Sequence, residues 1–203
     1  MQLHHALSLT ATTALLFLTG CGAPTSTPKD APAPTVTPAS TPMPVEQFMA
    51  AALDGKLDQI ESALQRGTPA DAGGEEGRTA LMLSAFNGHT AVVETLLKAG
   101  AVTDSRDETG RTALMYAATG PNPDTVQALL SAGAKINAAD GNEHWTPLMF
   151  AAAEGHRNVV KLLLDNKADP TLKDTDGDSA ASFATQRGHH ELAKLLQSAE
   201  ASR

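Results

Sequence analysis

The sequence predicts an all-α solenoid built from stacked helix pairs. The first reason is an internal repeat with a period of 33 or 34 residues, which brings four helix-capping residues into register: Thr79, Thr112, Thr146 and Ser179. The second is that apolar residues within each segment recur three and four positions apart, which is the spacing of one helix face. The third is a composition with only 3% aromatic residues, which suits a core of alanine and leucine between closely packed helices.

The repeated letters identify the kind of repeat. Residues 77–82, GRTALM, return at 110–115, TPLM follows at 146–149, and LLKAGA at 96–101 matches LLSAGA at 129–134. A 33-residue period with a Thr-Pro-Leu opening resembles the ankyrin repeat. The resemblance implies about five helix-pair units with β-turn fingers over residues 45–199, followed by a tail at 200–203. The expected units are an N-terminal cap at 45–76, full repeats at 77–109, 110–143 and 144–176, and a C-terminal cap at 177–199.

The turns of the repeat are predicted from backbone chemistry. Each repeat threonine or serine is expected to cap its first helix by accepting a backbone N–H, and Gly100 to end a second helix in the left-handed conformation. Lys167 stands where such a glycine is expected, which predicts a weaker helix stop. In the third unit Pro121 replaces the usual glycine and cannot take a positive φ. We therefore expect Gly120 to supply that turn, Asn122 to cap the next helix and Pro123 to open it.

Two sets of inner-helix side chains are expected in the core. Methionine occupies a position where ankyrin repeats often carry histidine, so one polar contact beneath each finger should be lost at Met82, Met115 and Met149. Polarizable core filling is the role expected of these methionines. The next position along the helix is aromatic in the last three units and is also assigned to the core: Tyr116, Phe150 and Phe183.

Histidines and acidic residues are the candidates for a metal site. His89, His156 and His189 recur at one repeat position, which favours a structural role over metal binding. The run at 174–178, DTDGD, begins like a calcium loop, but it lacks the glutamate at the twelfth position and falls where a finger is expected. No catalytic triad, phosphate-binding glycine loop or cysteine pair stands out. We therefore predict no metal, no cofactor and no enzymatic activity.

The charge argues against binding to nucleic acid. The 203-residue chain has a formal net charge of −8, and its basic residues are scattered, whereas phosphate contacts need grouped lysine and arginine. Since Cys21 is the only cysteine, no intrachain disulfide is possible. The chain is expected to be a monomer that is held together by packing alone.

The N-terminus resembles a bacterial lipoprotein signal. Residues 1–20 contain no acidic residue, and their apolar stretch at 6–18 is shorter than the roughly 20 residues of a membrane-spanning helix. Leu18-Thr19-Gly20-Cys21 is similar to a lipobox, which implies cleavage before Cys21 and acylation of its thiol. An ordinary cleaved signal with an incidental cysteine is the alternative. Gly22 after the cysteine, by resemblance to a known sorting rule, implies the outer membrane of the cell envelope, facing the periplasm.

The segment between Cys21 and the repeats is predicted to be a disordered linker. Residues 22–44 consist mainly of Pro, Thr, Ala and Ser, which cannot bury enough apolar surface to offset the conformational entropy of the chain. The acylated Cys21 and this linker together form the segment 21–44, which is expected to tether the repeats to the membrane.

The ankyrin resemblance places partner binding on the concave face, where fingers project beyond the inner helices. Its variable positions in this sequence are Arg78, Phe86, Asn87, Glu108, Arg111, Glu143, Trp145, Glu154, Asp176 and Arg187. Trp145 can either anchor a partner or pack on its neighbouring finger, and the sequence leaves both open. The predicted function is a membrane-tethered module that binds, protects or recruits a periplasmic or cell-surface protein. The alternative is an inhibitor or immunity protein that blocks the active site of a toxin or enzyme.

Overall fold

A computed structural model of the protein describes residues 41–202. Within that range the chain forms ten α-helices, and the predicted all-α repeat solenoid is confirmed. The helices are α1 Val45–Leu53, α2 Leu57–Gln65, α3 Ala80–Phe86, α4 Thr90–Lys98, α5 Ala113–Ala118, α6 Pro123–Ser131, α7 Pro147–Ala153, α8 Arg157–Asp165, α9 Ala180–Gln186 and α10 His190–Ala201. A 3-10 turn spans Glu75–Gly77, and an isolated antiparallel bridge joins Gly73 to Thr79.

The predicted signal at 1–20, Cys21 and the linker up to residue 40 lie outside the described residues. Across residues 41–202, every helix is either too short or too polar to cross a bilayer.

The ten helices form two rows. Odd-numbered helices stack as an inner row and even-numbered helices as an outer row, and each inner helix also packs on the outer helix of its own unit. From α3 onward the inner helices are six or seven residues long and the outer helices nine or more. Because the inner row packs more closely than the outer row, the stack curves, and the inner helices lie on its concave side.

One continuous apolar core runs between the two rows. Small side chains on the inner helices allow close approach of successive units, and all of these are at most 1% exposed: Ala52, Ala85, Ala118, Ala152 and Ala184. The outer helices contribute leucine at one repeat position, and each of these side chains is fully buried: Leu96, Leu129, Leu163 and Leu196. The repeat therefore places the same leucine contact in each of the last four units, which is how a solenoid sums its stability from neighbouring interfaces.

The capping prediction is confirmed for three of the inner helices. The side chains of Thr79, Thr146 and Ser179 accept the backbone N–H three residues later, at 3.3, 3.4 and 3.4 Å. For Thr112 the prediction is wrong, because its buried hydroxyl has no hydrogen-bond partner among the described residues.

The methionines keep the polar contact that they were expected to remove. The backbone N–H groups of Thr79, Thr112 and Thr146 donate to the thioether sulfurs of the methionines three residues later, at 3.5, 3.5 and 3.3 Å. A thioether sulfur is a weak acceptor, so each methionine fills the core and also satisfies one N–H that precedes its helix. The expected loss of this contact is therefore wrong.

Turn conformations follow the prediction in part. Gly100 ends α4 with a φ of 90°, and Lys167 takes the left-handed conformation at the equivalent place with a φ of 73°. A side chain in that conformation costs about 1–2 kcal/mol, so the weaker stop expected there stays a prediction. The prediction for the third unit is wrong in two respects: Gly120 does not have a positive φ, and Asn122 makes no capping bond. Its third part is confirmed, since Pro123 opens α6 with its fixed φ.

Neighbouring units are tied by the repeated histidines. The Nε2–H groups of His89, His156 and His189 donate to the carbonyl oxygens of Leu53, Thr119 and Ala153, at 2.9, 2.9 and 3.2 Å. Each acceptor lies at the C-terminal end of the inner helix in the preceding unit, where carbonyl groups lack a helical partner. The structural interpretation of these three histidines is confirmed.

Candidate partner-binding face

The second, third and fourth fingers are each built around one aspartate. The carboxylate of Asp107 accepts the N–H groups of Thr109 and Arg111 at 2.9 and 2.8 Å. Asp140 accepts those of Glu143 and Trp145, both at 3.1 Å, and Asp174 accepts those of Asp176 and Asp178, at 3.0 and 2.8 Å. The carboxylate of Asp174 therefore holds its own turn, which confirms that residues 174–178 form a finger.

Backbone hydrogen bonds join each finger to the next. The N–H groups of Glu108, Gly141 and Thr175 donate to the carbonyls of Glu76, Thr109 and Glu143, at 3.0, 2.8 and 3.0 Å. The contact is close: a Cβ on Gly110, whose φ is 78°, would lie 2.4 Å from the backbone nitrogen of Gly141. The fingers consequently form one continuous rim beside the inner helices.

A polar and aromatic cluster lies between the first two full repeats. The hydroxyl of Tyr116 donates to the Asp107 carboxylate at 2.7 Å, and the ring of Phe86 meets the Tyr116 ring edge-on, with centroids 6.2 Å apart. Phe86 is 48% exposed, and the adjacent Arg78 pairs with Glu76. The prediction that Tyr116 belongs to the core is wrong: it is half-buried, because its hydroxyl reaches the finger.

The cluster has a defined charge state. Burial tends to raise the pKa of Asp107, but the hydrogen bonds from Tyr116, Arg111 and Thr109 outweigh it and hold that pKa below its usual value. Burial, followed by the hydrogen bond to Asp107, raises the pKa of Tyr116. The pKa of Arg78 is raised first by its hydrogen bond with Tyr116. At neutral pH the site therefore presents a carboxylate, a neutral phenol and a guanidinium.

A second aromatic cluster lies around Trp145. Its ring centroid is 4.1 Å from that of Phe183 and 5.2 Å from that of Phe150, while the guanidinium of Arg111 lies 4.9 Å above the Phe150 ring and 3.8 Å from the Asp140 carboxylate. Trp145 is half-buried rather than largely exposed. Of the two alternatives, the structure favours packing, and the ring contacts are with aromatic side chains of the inner helices α7 and α9.

Most of the predicted contact residues are accessible at the surface. All of the predicted positions are exposed except Arg111 and Trp145, which are half-buried. The side-chain amide of Asn87 also donates to the Leu53 carbonyl at 2.7 Å, so this side chain links two neighbouring units. Within residues 41–202, no three histidine, cysteine or acidic side chains are grouped as metal ligands. The sequence prediction did not place Tyr116 at the surface. The later units carry phenylalanine at this position, so the additional hydroxyl of Tyr116 was the feature that indicated a polar contact.

The chain also matches a family model. The model describes ankyrin repeats (3 copies), and it matches residues 48–140 and 139–202. A comparison with curated proteins gives no match. The matched segments include α1 from Phe48 onward, the nine helices that follow and every finger of the described structure. The chain therefore belongs to the ankyrin-repeat family.

Proposed function

We propose that this chain is a membrane-tethered interaction module, which binds, protects or recruits a periplasmic or cell-surface protein through its concave face. Ankyrin repeats indicate a protein–protein interaction module, and such modules are in general non-catalytic. In this proposal the chain acts as a monomer, without a cofactor, and the acyl chains on Cys21 hold it at the outer membrane.

The exposed ring of Phe86 is the observation that carries the choice of face. Large aromatic side chains and arginine dominate the binding energy of protein interfaces. Phe86 lies against Tyr116, and Arg78 interacts with the same tyrosine. The edge contact and the Tyr116–Asp107 hydrogen bond hold this group in place before a partner arrives. A preorganised surface loses less conformational entropy on binding.

The variant Phe86→Ala tests the face. We expect it to weaken partner binding by about 2 kcal/mol, or roughly thirtyfold, while stability changes by less than about 1 kcal/mol. The full chain is used to capture its partner from the native cell envelope, and the Kd of the captured protein is then measured for both forms. Val102→Ala is the matched control, since Val102 is 55% exposed in the loop after α4. Equal loss in both variants, or in neither, would remove Phe86 from the interface.

The variant Cys21→Ser tests the tether. Serine has no thiol to acylate, so we expect the protein to move from the membrane fraction to the soluble fraction, or to remain with its signal uncleaved, while the repeats stay folded. Fractionation with immunoblotting measures the distribution, and helical circular dichroism verifies the fold. A cleaved Cys21→Ser protein that still fractionates with membranes contradicts the lipoprotein proposal.

A further inference from the structure

A groove of about 600 Å³ opens at the first finger, on the concave side of the N-terminal unit. Its lining comes from α1, from the finger and from α3, and includes Val45, Glu46, Met49, Glu75, Arg78 and Leu83. The floor is apolar, with Met49 only 8% exposed, and carboxylates stand at its edge.

Two departures from the repeat leave this space open. Leu83 occupies the position that is aromatic in the following units, so no ring covers the inner helix here. Gly74 occupies the position of the finger aspartates, and a Cβ on it would lie 2.9 Å from the Met49 methyl carbon. The glycine therefore leaves room for Met49 to lie under the finger, and the missing side chains leave a cleft above it.

The charge at the groove is negative. Glu46 and Glu75 are both exposed, and the carboxylate of neither makes a hydrogen bond or ion pair with the residues described. The one cation in the lining, Arg78, is already paired with Glu76. The lining therefore holds two unpaired carboxylates and one guanidinium that Glu76 already neutralises, which leaves the groove complementary to a cation.

We propose that this groove binds an apolar segment of the partner protein that carries arginine or lysine. The methylene stem of such a side chain can lie on Met49 and Leu83 while its charged head stays in water between Glu46 and Glu75. Exposed ion pairs contribute modest affinity, but they select the sign of the partner's charge. This inference rests on the proposed function and specifies the chemistry of its partner.

The test uses a short peptide, acetyl-Gly-Leu-Arg-Leu-Gly-amide, and its isosteric citrulline analogue. The full chain, held in nanodiscs of zwitterionic lipid and labelled with ¹³C at methionine methyl groups, is titrated with each peptide. We expect the arginine peptide to shift the Met49 methyl resonance saturably, and the uncharged citrulline peptide to bind about tenfold more weakly. Equal affinities for the two peptides, or no shift at Met49, would overturn the proposal.

Matched variants separate the contributions of charge and shape. The double variant Glu46→Gln/Glu75→Gln should bind the arginine peptide about tenfold more weakly. The control variant Glu61→Gln, at an exposed position of α2 in the outer row, should leave that affinity unchanged. Leu83→Phe should abolish binding by closing the groove. Its fold should survive, since phenylalanine stands at the equivalent positions 150 and 183, and a thermal melt verifies this. An unchanged affinity in either groove variant counts against the site.

Capture of the native partner distinguishes this inference from the proposed function. If Phe86→Ala loses the partner but Glu46→Gln/Glu75→Gln retains it at full affinity, the concave interface stands and the groove inference fails. If both variants retain the partner, the interface lies elsewhere and both proposals fail. If both lose it, the groove belongs to the binding face.

Discussion

Trp145→Ala is expected to lower the free energy of unfolding by about 2–4 kcal/mol. The indole packs at 4.1 Å from the Phe183 ring and at 5.2 Å from the Phe150 ring, so it joins the inner helices of two successive units. Removal of a buried aromatic side chain costs about 3–5 kcal/mol, and paired rings contribute beyond the buried area. The lower range applies here because Trp145 is half-buried.

Urea denaturation followed by circular dichroism measures this effect for the wild-type chain and the variant. Phe86→Ala is the control, since the same class of truncation at a 48% exposed ring should change stability by less than about 1 kcal/mol. A loss below 1 kcal/mol for Trp145→Ala would show that its ring contacts contribute little. That outcome would restore the alternative in which Trp145 serves mainly as a partner anchor.

Asp107→Ala is expected to cost about 2–3 kcal/mol of stability. The carboxylate accepts hydrogen bonds from the backbone N–H and hydroxyl of Thr109, the N–H of Arg111 and the hydroxyl of Tyr116. Alanine leaves these donors without their acceptor, and each buried unpaired donor costs about 1–3 kcal/mol, less where water can reach it. Asp176→Ala is the control, because this side chain is exposed at a finger tip. We expect it to change the free energy of unfolding by less than about 0.5 kcal/mol.

The cost should depend on pH in a defined direction. Because the pKa of Asp107 is lowered in the folded protein, its ionisation stabilises the fold at pH values above the unfolded pKa of about 3.9. This contribution is lost as the pH falls through the lower, folded pKa. The stability difference between wild type and Asp107→Ala should therefore shrink below about pH 4. A difference that stays constant from neutral pH to that range would show that the charge of Asp107 contributes nothing.

The sequence by itself determined the repeat, the helix pairs and most of the turns. These features depend on interactions within a few residues: capping by Thr79, the left-handed Gly100 and the apolar spacing of each helix follow from local backbone chemistry. The exposure of most predicted contact positions also followed from the repeat, because a side chain at the same repeat position points in the same direction in every unit. Phe86 is the clearest case.

Only the tertiary structure decided which side chains meet across units. Tyr116 leaves the core because Asp107 accepts its hydroxyl, and Trp145 packs on aromatic rings that belong to α7 and α9. The methionine sulfurs find an N–H donor that their apolar character did not suggest. The groove at the first finger exists because Leu83 and Gly74 are small at positions where other units place larger groups. Such contacts depend on distances between stacked units, and a periodic sequence pattern does not contain those distances.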